Sequence, residues 1–238
     1  MNAGYQLARI IYKNENKKQV PSVTTILGIL DKPALKIWAN NIGLQGIKMS
    51  EYVDDKALIG TLAHFIVECY LKNVQPDFAE FNATDEQIEL AKQCADKFFE
   101  WENCQAEFVP IASELQLVSE KHQYGGTCDC IAVLNGKLTL IDFKTCNAIY
   151  DEARQQVAAY KEQINENFGV IELKLKELGY DFKKIEEVVI LRIGRSEEEN
   201  FEYVPVPKNV LDIGFEIFLD CPSIYNKRKQ FNKPTAKT

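Results

Sequence analysis

Gly126-Thr127-Cys128-Asp129-Cys130-Ile131-Ala132-Val133-Leu134-Asn135-Gly136-Lys137-Leu138-Thr139-Leu140-Ile141-Asp142-Phe143-Lys144 is a pair of apolar runs around Asn-Gly. That dipeptide between such runs is the strongest short hairpin signal, because both residues tolerate the positive φ of a type I′ turn. If they form the turn, Leu134 pairs with Lys137, and counting outward Asp129 falls opposite Asp142. Directly opposed side chains share a face, and Lys144, two residues beyond Asp142, shares it too. Opposed carboxylates repel. Their neighbours Ile131, Val133, Leu138 and Leu140 read as buried, where an unpartnered carboxylate is rare. A divalent metal ion held by oxygen ligands would offset the repulsion. Two carboxylates and a lysine on one rigid face suit phosphodiester hydrolysis. The competing reading is a half-exposed hairpin with incidental charges.

A chain of 238 residues, 46% of them apolar, is enough for one sizeable core. The expectation is a single domain over 1–238, with an N-terminal helical part over about 21–101 and a basic tail over about 226–238. Residues 1–18 mix acids, bases and amides, so neither a signal peptide nor a membrane span is expected. The protein is expected to be soluble and intracellular. Seven cysteines, an odd number without CxxC spacing, point to reduced thiols. Cys128 and Cys130 flank Asp129 and are expected to point away from its face as small core residues. The net charge of −7 argues at first against nucleic acid. The tail, however, carries Lys227, Arg228, Lys229, Lys233 and Lys237 without an acid, and reads either as a solvated end or as a grip on DNA.

Helices are expected over 33–48, with Pro33 in the first turn, and over 56–72, where His64 and Glu68 stand one turn apart. Another is expected over 84–101, opened by a Thr84–Gln87 capping box. Further helices are read at 151–165, 171–178 and 210–219, and strands at 114–118 and 187–193. Ser22 or Thr24 can cap the segment after Pro21. The order of helices, strand meander, then helix–strand–helix predicts an α/β (α+β) fold with a central mixed sheet flanked by helices.

Asp129 followed by Ile141-Asp142-Phe143-Lys144 resembles the D…(D/E)xK signature of the PD-(D/E)XK nuclease superfamily. The 13-residue separation, Gly126-Thr127 before it and Gln156-x-x-x-Tyr160 after it are similar to the RecB-like branch. Gly60-Thr61-x-x-His64 resembles that branch's upstream histidine motif. Val20-Pro21-Ser22-Val23-Thr24 followed by Trp38 looks like the opening of phage exonucleases related to the mitochondrial genome maintenance exonuclease. The resemblance runs from about residue 21 to about residue 192.

It implies a restriction-endonuclease-like core and a Mg²⁺- or Mn²⁺-dependent deoxyribonuclease. In that family pattern Asp129, Asp142, the backbone carbonyl of Phe143 and His64 hold the metal, and Glu114 joins them directly or through water. Lys144 stabilises charge on the scissile phosphate. Gln156 and Tyr160 reach the site from a helix behind the sheet, and Glu68 orients His64. Trp38, Tyr124 and Arg192 are candidate nucleic-acid contacts. With only Cys221 beyond Cys146, the iron–sulfur cluster of some RecB-like nucleases is not expected, and no Walker A pattern is present. The implied partner is DNA, chiefly single-stranded ends, beside a possible helicase or recombination protein and no membrane. The implied setting is replication, recombination or repair in the cytoplasm of a bacterium or phage-infected host. The rival readings are a structure-specific endonuclease of the same superfamily, an inactive DNA- or protein-binding module, and a metal-binding structural protein.

Overall fold

The computed structural model describes residues 10–194 and 201–232. Its centre is one sheet of five strands in the order β1-β2-β3-β4-β5. These are β1 (Phe108–Ser119), β2 (Tyr124–Leu134), β3 (Lys137–Lys144), β4 (Glu187–Arg192) and β5 (Glu202–Pro205). Asn135 and Gly136 turn the β2–β3 hairpin with φ of 48° and 82°, and Leu134 pairs with Lys137. The expected register is therefore the observed one. β1, β2 and β3 form an antiparallel meander, β4 adds parallel to β3, and β5 adds antiparallel to β4. A parallel neighbour needs a crossover. Helices α5 (Asp151–Glu166) and α6 (Gly169–Glu177) supply it.

Helices cover both faces of the sheet. The helices α1 (Val23–Leu27), α5, α6 and α7 (Lys208–Phe231) pack with Ile131, Val133, Leu138, Leu140, Val188 and Ile190. On the other face α3 (Met49–Leu71) and α4 (Asp85–Asn103) pack with Cys130, Ala132, Leu134, Ile141, Phe143, Val189 and Leu191. That double cover explains why β2 reads as a near-continuous apolar run rather than a strict alternation. Helix α2 (Pro33–Leu44) lies outside these two core clusters. The mixed α/β architecture, a central sheet flanked by helices, is the one the sequence predicts.

Local chemistry sets the boundaries. Ser22 Oγ accepts the Thr25 amide at 3.1 Å and opens α1. Thr84 and Gln87 close a reciprocal capping box at the start of α4, at 3.2 and 2.9 Å. The helix expected over 33–48 ends at Leu44, and three other boundaries differ from expectation more widely. β1 begins at Phe108 rather than 114; it tolerates Pro110 because it is an edge strand with a register shift just after that residue. α3 begins at Met49, about two turns before residue 56. α7 continues to Phe231 through Pro222, so the basic stretch Lys227–Lys229 is helical rather than a loose end. Its buried anchors Leu211, Gly214, Phe218 and Cys221 hold one face down, which outweighs one missing N–H. Lys233 and Lys237 lie outside the described residues. No helix among the described residues is long and apolar enough to cross a membrane.

Candidate active site

The β2–β3 ladder ends at Cys130 paired with Ile141. Beyond it the two strands part. β2 continues against β1, while β3 continues against β4, with Asp142 beside Ile190 and Lys144 beside Arg192. Asp129 and Asp142 are the first residues past the fork. In place of a ladder bond, the Asp129 carboxylate reaches across and accepts the Phe143 amide on Oδ2 at 2.8 Å. Lys144 Nζ lies 2.5 Å from Asp142 Oδ2.

One detail departs from simple face counting. Cys128 belongs to the core on the α5 side and Cys130 to the core on the α3 side. The two flanking cysteines are both buried, as expected, but do not point the same way. The alternation of β2 reverses at Asp129. On β1 the residue between the partners of those cysteines is Glu114, with φ of 49°, a left-handed conformation rare for a side-chain-bearing residue. Such a residue breaks the pleat, and here it does so beside the fork. Asp129 and Asp142 therefore lie just past the last ladder pair, and the shared flat face that the hairpin count predicts is not kept there.

Burial dominates the electrostatics. Asp142 is 1% exposed, and neither of its carboxylate oxygens receives a hydrogen bond of ordinary geometry. Burial pushes its carboxyl up to about 6, against the pull of Lys144 and with help from Asp129. Asp129 is also raised by burial, opposed by Lys144 and the Phe143 amide. Lys144 is held above its ordinary range, because attraction to Asp142 and Asp129 exceeds the penalty of burial. Burial and then Asp129 push Glu114 up to about 8. Near neutral pH Lys144 is charged and Glu114 largely protonated.

His64 reaches the fork from α3, with Nδ1 3.9 Å from Asp129 Oδ2. Burial, then Lys144, lowers it to about 4, so the imidazole is neutral and free to donate a lone pair. Gly60 makes this approach possible, since a methyl group there would overlap Thr145 Oγ1 just past β3. Together Gly60, Thr61, His64, Glu68, Glu114 and Asp129 line part of a cleft of about 400 Å³. Glu68 faces that cleft, but its ion-pair partner is Lys72 rather than His64. The expected orienting bond is replaced by an i,i+4 pair on its own helix.

From the opposite side Gln156 Nε2 donates to Tyr160 Oη at 3.0 Å. Tyr160 packs against Gly126, where an added Cβ would lie 2.5 Å from Cε1. Burial and then Asp142 raise the phenol well above its ordinary value. The glycine thus admits the tyrosine ring towards Asp142. Two expected nucleic-acid contacts are interior instead. Tyr124 is fully buried, bonded to the Ala159 carbonyl at 2.9 Å and packed on Phe218. Arg192 is 5% exposed and pairs with Glu202 at 2.6 Å. Both belong to the fold. Trp38 is half-buried on α2. The sequence reading passed over Tyr12, whose ring fills the notch at Gly125 and whose hydroxyl lies 2.7 Å from Thr127 Oγ1. Its only signal in the sequence is the Gly125-Gly126 pair, which marks a tight approach into the hairpin without saying what approaches.

Among the described residues no three His, Cys, Asp or Glu side chains are gathered into a closed metal cage. A hard divalent ion does not require one, since Mg²⁺ keeps several waters and takes one or two protein carboxylates. Asp142, Asp129 and the neutral imidazole of His64 supply oxygen and nitrogen donors at the fork, but Asp142 is engaged by Lys144 and Asp129 by the Phe143 amide.

No protein-family model matches the chain, and no curated protein matches it. A solved structure does share the fold. It is a protein from Eubacterium rectale described as a "putative exonuclease", with a TM-score of 0.50, 12% identity, and coverage of 76% of this chain and 76% of that one. At that identity the likeness speaks to the fold alone.

Proposed function

We propose that this chain is a metal-dependent DNA nuclease of the RecB-like kind, acting on single-stranded ends as an exonuclease. One observation carries the reading: a buried carboxylate at Asp142 whose one partner among the described residues is Lys144, 2.5 Å away, with Asp129 just past the same strand fork. A structural ion pair has no need of a second carboxylate beside it. The exonuclease description of the Eubacterium rectale structure adds weaker support.

Asp129, Asp142 and His64, with the Phe143 carbonyl, would hold Mg²⁺ or Mn²⁺, and Glu114 would join through water. The ion would supply Lewis acidity and a water of lowered pKa. Lys144 sets its ammonium where negative charge grows on the phosphate as the scissile bond lengthens. Tyr160, fixed by Gln156 and packed on Gly126, would bring its hydroxyl towards the bound strand from the α5 side. His64, neutral, serves as a ligand rather than a proton donor. Replication, recombination or repair in a bacterial or phage setting, with a helicase or recombination partner, is the context this chemistry serves.

The test is an assay on end-labelled linear and covalently closed circular DNA, single- and double-stranded, with Mg²⁺, Mn²⁺ or EDTA. The reading expects cleavage of linear single strands with metal, none with EDTA, and intact circles. Cut circles would indicate the endonuclease alternative, and inertness towards every substrate would indicate a binding module.

A further inference from the structure

The cleft is lined by Glu68, Glu114 and Asp129 and by no lysine or arginine, so a polyanion must be brought to it by something else. Just outside the cleft, on the α2–α3 corner, stand three side chains that the catalytic set does not use. Trp38 of α2 meets Tyr52 of α3 edge to face, ring centroids 5.8 Å apart. Lys56, one turn further along α3, lies over the Tyr52 ring with Nζ 5.8 Å from its centre. All three are half-exposed. The next turn of α3 supplies Ala57, Gly60 and Thr61 to the cleft wall, and the turn after that supplies His64. At 1.5 Å per residue, Lys56 precedes His64 by roughly 12 Å along the helix and Tyr52 by roughly 18 Å.

We infer that Trp38, Tyr52 and Lys56 form an approach platform for a single nucleic-acid strand, with a base stacked on Trp38 and a phosphate held by Lys56. Tyr52 is the support. Its ring is engaged on one side by Lys56 and against the edge contact with Trp38, so it fixes both partners. Aromatic surface beside a cation is the combination that binds single strands without reading sequence. Lys32, at the start of α2, pairs with Glu152 of α5 at 2.5 Å, which helps to hold that end of α2 in place. Leu35 and Ile37 are also exposed on α2, at 49% and 65%, but flexible aliphatic chains give no stacking plane, so the platform is the Trp38 face.

This inference rests on the nuclease reading, and its test separates the two. Trp38→Ala and Lys56→Ala are compared with wild type on a long single-stranded oligonucleotide and on a nitrophenyl ester of thymidine monophosphate, which fills the catalytic fork only. Both variants should keep wild-type turnover on the small ester. On the oligonucleotide Trp38→Ala should raise KM roughly fivefold to a hundredfold with kcat little changed. Lys56→Ala should lower the slope of log affinity against log salt by about 0.7, the share of one phosphate on a single strand. In a Trp101→Phe background, oligo(dT) should quench Trp38 fluorescence with metal replaced by EDTA. Wild type inactive on both substrates overturns the nuclease reading. Active wild type with unchanged oligonucleotide KM and no quenching overturns the platform alone. Loss of ester turnover in Trp38→Ala would mark a packing role and overturn it too.

Discussion

Replacing Asp142 with Asn removes a charge that the folded protein holds at a disadvantage. Asp142 is 1% exposed, and its carboxyl sits at about 6 against an ordinary 3.8, even with Lys144 beside it. That difference is worth about 3 kcal/mol. The folded state binds this proton more tightly than the unfolded chain, so the penalty is absent below about pH 4. It grows as pH rises through about 6 and is complete near pH 8. Asn has nearly the shape of the protonated acid and carries no such penalty. In EDTA the two proteins should melt together near pH 4, and Asp142→Asn should melt higher at pH 8. At about two to four degrees per kcal/mol for a chain of this size, the gap is about 6–12 °C. Adding Mn²⁺ at a hundredfold excess over its dissociation constant should raise only the wild type, by about 2.7 kcal/mol. Differential scanning calorimetry at the two pH values decides it. A variant melting below wild type at pH 8 would show that the Lys144 pair outweighs the burial of Asp142, and that the pair is structural.

Three further outcomes are expected from the same geometry. His64→Ala should raise the Mn²⁺ concentration for half-maximal cleavage while sparing the melting temperature in EDTA; an unchanged metal titration would remove His64 from the ligands. Gly60→Ala should destabilise by about 1–3 kcal/mol through its clash with Thr145 Oγ1, and Thr145→Ala should restore stability in the double variant. If it does not, α3 is not held by that contact. Glu114→Gly should melt higher by about 1 kcal/mol, since glycine accepts φ of 49° freely, and should lose activity; a fall in stability would mean that the Glu114 side chain holds the strand.

The hairpin and its register were legible because Asn135-Gly136 leaves little choice of turn, and a two-residue turn propagates its count as far as Cys130 and Ile141, one pair short of Asp129 and Asp142. The capping box and the crossover helices were legible for similarly local reasons. What failed was set at long range. Glu114 adopts its left-handed conformation between two residues whose pairing is fixed by β2, and nothing in its own neighbourhood announces this. Tyr124 comes after a polar turn and is a candidate nucleic-acid contact in the sequence, but Phe218 of α7 closes over it. Arg192 looked free because β5, which carries its partner Glu202, is four residues long with a weak pattern of its own. Glu68 and His64 were rightly placed one turn apart, yet Lys72 on the same helix takes the carboxylate. Spacing located the residues of the site, and packing chose their partners.

The most direct test is single-turnover cleavage of end-labelled linear single-stranded DNA by wild type and by Lys144→Ala. On the proposed mechanism Lys144 acts on the growing phosphate charge and is one cation among many in binding. The rate constant should fall by about 10²–10³ or more, while DNA affinity measured in EDTA stays within a few-fold of wild type. Cleavage by Lys144→Ala at the wild-type rate would contradict the assignment of the strand fork as the catalytic centre.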